Sequence, residues 1–295
     1  VAKLHTPHYL VGTIGYDPPT LHERLRFRLG ALRRGRWQGL TTQTYCRDED
    51  LEWAFTRDAD EIAAPSRAIA DRLITDWELD LARVSQFPLP FRPNPDLLAL
   101  SVPISLRTVG FLGRLEPRKG VVELVRAIPR ILRRAPHLQF RFLGPSWPYR
   151  NSDMESWIRR YCRGCLDRIT FVGSVSRDRL AIELAACDVM VFPSRWESFG
   201  LVCPESMAAA RAVIGSSSGG MAEVIEHGVS GLLVPPYSPA AIASAVLSLV
   251  DDPERVAKLG LAARQRVLQH LAPERILPLQ LASYERAIDR ADQRR

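Results

Sequence analysis

The chain has 295 residues, 46% apolar and 25% charged, the composition of a globular protein with enough apolar side chains for one large domain or two ordinary ones. No apolar run approaches the ~18 residues of a membrane-spanning helix, the longest being Ala240 to Val250, and no secretory signal opens the chain. The net charge is +7, and five thinly spread cysteines, an odd number, favour a reducing, cytoplasmic setting over a disulfide scaffold.

In chain order, Val1 to Leu4 reads as a strand that begins without Met, so an upstream segment is expected. Between Arg24 and Arg36 lie six arginines, interleaved with Leu25, Phe27, Leu29 and Leu32 and followed by Trp37. Such a stretch reads as a solvated basic helix or loop, or as a peripheral contact with an anionic membrane; nucleic acid is the weakest of the three readings. Glu61 to Pro65 and Phe87 look like strand ends, and Ser66 to Leu73 like a helix with Ser66 as N-cap. Pro88, Pro90, Pro93 and Pro95 then give a linker composition. A first domain is therefore placed at residues 1–98 and a second at 99–272.

From Thr108 the pattern alternates. Apolar runs at Thr108 to Leu112, Leu138 to Leu143, Ile169 to Val172, Val189 to Phe192, Ala212 to Gly215 and Leu232 to Val234 read as strands. Helical spacing occupies Val121 to Leu132, Met154 to Cys165, Arg179 to Ala186, Glu205 to Ala210, Met221 to Glu226, Pro239 to Val250 and Pro253 to His270. Strands alternating with helices, each strand a continuous apolar run, predict an α/β fold with a doubly wound parallel sheet. Its carboxyl edge would carry Gly113-Arg114, Gly144-Pro145, Gly173-Ser174, Pro193 to Gly200 and Ser216 to Gly220. Open α/β sheets bind ligands at that edge.

Three constellations fall there. Glu197 and Glu205 flank a Gly-bearing turn after an apolar strand. A carboxylate such as Glu205 near a helix start either serves the helix dipole or accepts the two hydroxyls of a ribose; Glu197 reads as a solvated loop acid or a ligand group. Arg114 and Lys119, five apart between a strand and a helix N-terminus, make a cradle for a pyrophosphate or two solvated surface cations. His5 and His8 lack supporting ligands, and Cys162 and Cys165 have zinc spacing without a second pair, so no metal is expected. There is no G-x-G-x-x-G, P-loop or H-E-x-x-H signature, which disfavours the enzyme classes those motifs serve.

The run Val109 to Gly120 resembles the opening of the donor domain in the retaining GT-B glycosyltransferases of family 4. Phe192-Pro193-Ser194 through Glu205 resembles that family's E-x7-E motif, and Gly219 to Val224 and Gly228 to Pro235 resemble the stretches that follow it. The blocks match in order and spacing over about Thr108 to His270. Asp58 to Arg67 and Lys3 to Pro7 resemble, more weakly, the end of the acceptor domain and the strand whose histidine faces the transferred sugar.

The resemblance implies two Rossmann-like domains facing a cleft, the N-terminal one incomplete, with a final helix within residues 273–295 crossing back to it. It implies transfer of a hexose from a nucleoside diphosphate sugar to a hydroxyl of a glycan or glycolipid, with retained configuration and without a metal or other cofactor. Arg114 and Lys119 would hold the diphosphate and stabilise charge on the leaving group, and Glu205 the ribose. Glu197, with the amides of Phe199, Gly200 and Leu201, would position sugar and phosphate, and His5 would touch the sugar. Gly113, Gly144, Val175 and Ser198 complete the implied donor contacts. The alternatives are a nucleotide-sugar-binding module without turnover, because family members carry roughly another half-domain before His5, and an α-glucan-type phosphorylase, which shares the architecture.

Overall fold

The computed structural model describes residues 1–15, 17 and 45–294. The arginine-bearing stretch from Arg24 to Arg36 lies outside the described residues. None of the described helices is long and apolar enough to cross a membrane.

Two parallel sheets form among the described residues. The first has the order β1 (Ala2–Lys3), β2 (Ile62–Ala64), β3 (Val84–Gln86). It carries α1 (His8–Gly15), α2 (Leu51–Arg57) and α3 (Arg67–Trp77). The Ser66 hydroxyl accepts from the Ile69 amide, the N-cap its position predicts. The short helix α4 (Pro95–Leu98) follows. The proline-rich stretch from Pro88 to Asp96, expected as a linker, is packed instead: Leu89 and Phe91 lie against the same cluster as buried Leu97, and the Phe91 amide donates to the Leu271 carbonyl at 2.8 Å. Apolar residues between the prolines override the linker composition, because burying them excludes water from the second sheet's helices.

The second sheet contains β4 (Thr108–Leu112), β5 (Gln139–Leu143), β8 (Ile169–Gly173), β9 (Val189–Phe192), β10 (Ala212–Ser216) and β11 (Leu232–Val234). A small antiparallel pair, β6 (Pro148–Tyr149) and β7 (Ser152–Asp153), stands apart from it. The order is β11-β10-β9-β4-β5-β8, all parallel. β5 and β8 lie on one side of β4; β9, β10 and β11 lie on the other. The winding therefore reverses between β4 and β9, and a crevice opens outside their carboxyl ends, the position where such sheets bind ligands.

Both faces of this sheet are covered. Val109, Phe111, Phe140, Phe142, Val191 and Ile214 pack against α5 (Val121–Arg134) and α10 (Pro239–Val250). The alternate residues Leu112, Leu143, Met190, Phe192 and Val213 pack against α8 (Val202–Ala208) and α11 (Pro253–His270). Double-sided burial explains why these strands are apolar throughout. Between them come α6 (Met154–Tyr161), α7 (Leu180–Ala185) and α9 (Met221–Val224). Helix α6 stops at Tyr161, short of the expected Cys165, whose backbone leaves helical geometry at φ −147° and ψ 29°.

The last helix, α12 (Pro273–Gln293), runs back to the first sheet. Glu61, fully buried at the end of the loop before β2, accepts from Arg286 Nε and Nη2 at 3.0 and 2.9 Å, from Arg290 Nη1, and from the Ser85 and Ser283 hydroxyls. Burial alone would raise the Glu61 carboxyl, but the Ser85 hydroxyl and the two arginines outweigh it and hold the group below its ordinary value. A depressed folded-state pKa means stability that is present above the unfolded value of about 4.3 and lost as pH falls through the folded value. Glu61→Gln is expected to cost about 2–3 kcal/mol in urea unfolding at pH 7, with the difference from the parent protein shrinking below pH 4. An equal loss at pH 7 and pH 3 would contradict the ionic role.

Candidate functional site

The crevice is built by two loops that leave β4 and β9. After β4, Gly113 and Arg114 lead into a 3-10 turn, Pro117–Lys119, and Gly120 then opens α5. Gly120 has φ 72°, and a Cβ there would lie 1.9 Å from the Pro193 carbonyl oxygen. Only glycine lets the backbones of the two loops approach this closely.

Glu197 joins the loops. It is 5% exposed, far from the solvated state that its loop position suggests. Lys119 Nζ donates to its Oε1, as does the Ser194 hydroxyl at 3.2 Å, while Arg118 Nη1 reaches Oε2 at 3.4 Å. Arg118 Nη2 donates to Glu116 Oε1 at 2.9 Å, and Arg114 Nη2 meets that same oxygen at 3.2 Å. Arg114, Arg118 and Lys119 thus share two carboxylates, Glu116 and Glu197, leaving one positive charge over. The Arg114 guanidinium is half-exposed at the mouth and lies over the Trp147 ring, 4.9 Å from its centroid. Buried Arg118 Nε has no acceptor among the described residues. A site with excess positive charge, a half-free guanidinium and an unpaired buried donor is built for an anion with several acceptor oxygens.

The loop holding Glu197 is fixed from behind. Gly219 has φ 73°, and a Cβ there would come within 2.2 Å of the Glu197 carbonyl oxygen. The Gly220 amide donates to that same oxygen at 2.8 Å. Buried Arg195 donates from Nε and Nη2 to Glu123 Oε1 on α5, at 3.1 and 2.9 Å, and from Nη2 to Asp17. Among the described residues, the amides of Phe199, Gly200 and Leu201 donate to no acceptor within the protein. The Phe199 side chain is buried in the core, and Leu201 is exposed.

Glu205 stands differently. Helix α8 begins at Val202 rather than at the expected Glu205, so Glu205 sits one turn inside it. Pro204 does not prevent the early start, because a missing N–H is tolerated in the first turn. The half-buried Glu205 carboxylate makes no hydrogen bond or ion pair with any described residue. Burial raises its carboxyl, and Arg177 only partly opposes the shift.

The remaining expected residues are distributed as follows. Gly113 and Gly144 abut at the ends of β4 and β5, where a Cβ on Gly144 would meet the Gly113 oxygen at 2.0 Å. Ser198 Oγ accepts from the Thr6 hydroxyl at 3.2 Å. Val175 lies half-buried in the loop after β8. His5 has an imidazole that is 73% exposed and lies 3.9 Å from Glu52 on α2. Sequence reading assigned no role to Arg118, Glu116, Glu123 or Arg195. The charged partners of Glu197 and Arg195 lie 72 or more positions away in sequence, and no local pattern marks such pairs. Among the described residues, no three His, Cys, Asp or Glu side chains gather as a metal site.

The two acids should respond oppositely to neutralisation. Glu197→Gln leaves Lys119 and Arg118 without their buried counter-charge and is expected to cost roughly 3–5 kcal/mol of stability. Glu205 has a folded-state pKa raised above its unfolded value, so its contribution is most favourable below about pH 4 and is lost as pH rises through the folded value. Glu205→Gln should therefore raise the unfolding midpoint slightly at pH 8 and leave it unchanged at pH 3.5. Thermal unfolding of both variants at the two pH values checks this; a fall in midpoint for Glu205→Gln at pH 8 would contradict it.

Comparison with known proteins gives this site its context. The family model described as Glycosyl transferases group 1 matches residues 106–252. The D-inositol 3-phosphate glycosyltransferase of Corynebacterium efficiens is 28% identical over 288 residues, covering 84% of this chain and 66% of that protein. Sucrose-phosphate synthase from Thermosynechococcus elongatus superposes with a TM-score of 0.65 at 30% identity, over 81% of this chain and 61% of that one. Anabaena Alr3699/HepE, crystallised in complex with UDP-glucose, shares the fold with a TM-score of 0.66 at 19% identity, over 90% of this chain and 76% of that one. The chain spans 66%, 43% and 39% of the length of three curated relatives it matches.

Proposed function

Because residues 106–252 form a group 1 glycosyltransferase domain, seated here in a GT-B fold, we propose that this chain holds the donor of a glycosyltransferase, a nucleoside diphosphate sugar, and that its complete protein transfers the sugar to a hydroxyl of a glycan or glycolipid. The observation that carries the reading is the convergence of Arg118 and Lys119 on Glu197 at the β4–β9 switch point, with Arg114 joined to Arg118 through Glu116, and a carboxylate on the next helix, Glu205, that has no partner among the described residues.

In this reading the diphosphate lies against Gly113, Arg114 and Lys119, and the amides of Phe199, Gly200 and Leu201, which have no acceptor among the described residues, add donors. Charge that develops on the leaving phosphate is then met by fixed dipoles and cations, which lowers the barrier without a protein nucleophile. Glu205 accepts the ribose hydroxyls, and its ionised form gains from hydrogen bonds it lacks in the free protein. Glu197 holds Lys119 in place and offers its carboxylate to the sugar hydroxyls. Retention of configuration, a hexose as the transferred sugar, activity without a metal, and the cytoplasm as the setting belong to the same proposal. The first three are drawn from the resemblance of Val109 to Gly120 and of Phe192 to Glu205 to family 4, the last from the few, thinly spread cysteines.

The proposal is tested by calorimetry with UDP, GDP and ADP. One of the three should bind with a micromolar Kd in EDTA. Glu205→Ala and Lys119→Ala should each weaken it more than tenfold, equivalent to about 1.4 kcal/mol or more. Unchanged affinity in both variants would remove these residues from the site. Release of sugar from the matching nucleotide sugar then separates turnover from binding alone.

A further inference from the structure

The donor loop is gripped by a part of the chain that belongs to the other sheet. Ser66, the N-cap of α3, donates from its hydroxyl to the Ser198 carbonyl oxygen at 2.6 Å. The next two residues turn their amides to the opposite side: Arg67 N–H to Glu223 Oε2 and Ala68 N–H to Glu223 Oε1, both at 2.9 Å. Glu223 lies on α9, of the second sheet's domain. A carboxylate from one domain therefore caps the helix N-terminus of the other, where unpaired N–H groups and the positive end of the dipole favour an anion.

This joint is continuous with the site. Gly219 and Gly220, which open the turn into α9, lie against Glu197 and Ser198. A Cβ on Gly219 would be 2.2 Å from Glu197 O, and one on Gly220 would be 2.1 Å from Ser198 O and 2.7 Å from Ser66 Oγ. A cavity of about 300 Å³, lined by Pro65, Phe87, Phe199, Glu223 and His270 among others, opens beside Glu223. Hydrogen bonds across a close backbone contact thus connect the two sheets at this point.

We infer that Glu223 and Ser66 are positioning residues: the first turn of α3 sets the Glu197–Gly200 loop by holding Glu223 and Ser198 together, so that donor affinity depends on the docking of the first sheet. The ligand named in the test rests on the donor reading; the mechanical link does not.

Glu223→Gln keeps the shape of the side chain but presents an NH2 to one of the two amides. It should weaken UDP, or whichever nucleoside diphosphate binds the parent protein, at least fivefold by calorimetry, and Glu223→Ala should do the same. A role in packing alone would leave the Gln variant like the parent. Ser66→Ala should also lower affinity. In native-state hydrogen exchange, the Glu223→Gln change should speed the amides of Arg67 and Ala68 and, through the joint, that of Gly220, which bonds Glu197. If Arg67 and Ala68 speed up while Gly220 exchange and nucleotide affinity are unchanged, the inference is wrong. If the parent binds no nucleotide, the donor reading fails, and the Gly220 amide alone decides for or against the link.

Discussion

The structure turns on one buried carboxylate. Glu197 leaves the loop after β9 and is held by Lys119 and Arg118 from the loop after β4, so a single side chain ties together the two strands between which the winding of the sheet reverses. A buried acid of this kind is tolerated only while its cations stay in place. Its surroundings serve that end: Gly120 lets the loops touch, Gly219 lets α9 close on the Glu197 backbone, and Arg195 anchors the same loop to α5 through Glu123. On the proposed reading, the groups that would meet the anion are held in place before any ligand arrives, as a preorganised site requires.

The two acids spaced eight apart divide the work. Glu197 is spent on structure and on aiming Lys119. Glu205, half-buried and without a partner among the described residues, is a group whose ionised form the free protein disfavours. On the proposed reading, a ligand that brings hydroxyl donors would favour the ionised form, and part of its binding energy would come from the hydrogen bonds Glu205 gains. The α12 strap, with Arg286 and Arg290 on buried Glu61, fixes the first sheet at the far end of the molecule and leaves the joint between Ser66, Ser198 and Glu223 to set the near end.

Much of this was legible in the sequence where the signal is local. Continuous apolar runs gave the strands of the second sheet because both faces of that sheet are covered, and Ser66 announced its helix because a cap acts within three residues. Signals failed where a distant partner decides. The prolines from Pro88 to Pro95 read as a linker, yet Leu89 and Phe91 between them are drawn onto the cluster of α8 and α11. Helix α8 starts earlier than expected because Pro204 costs nothing in a first turn. Arg118 and Arg195 carried no mark of their own: a basic residue in a loop reads as solvated until its acid, Glu197 or Glu123, arrives from elsewhere in the fold.

The most direct test of the central claim is a crystal structure of the chain with the nucleoside diphosphate that it binds. The account expects the phosphates against Gly113, Arg114 and Lys119, and both ribose hydroxyls on the Glu205 carboxylate, with Glu197 still bridging Lys119 and Arg118. A nucleotide bound elsewhere, or one seated in the crevice with Glu205 untouched, would contradict it.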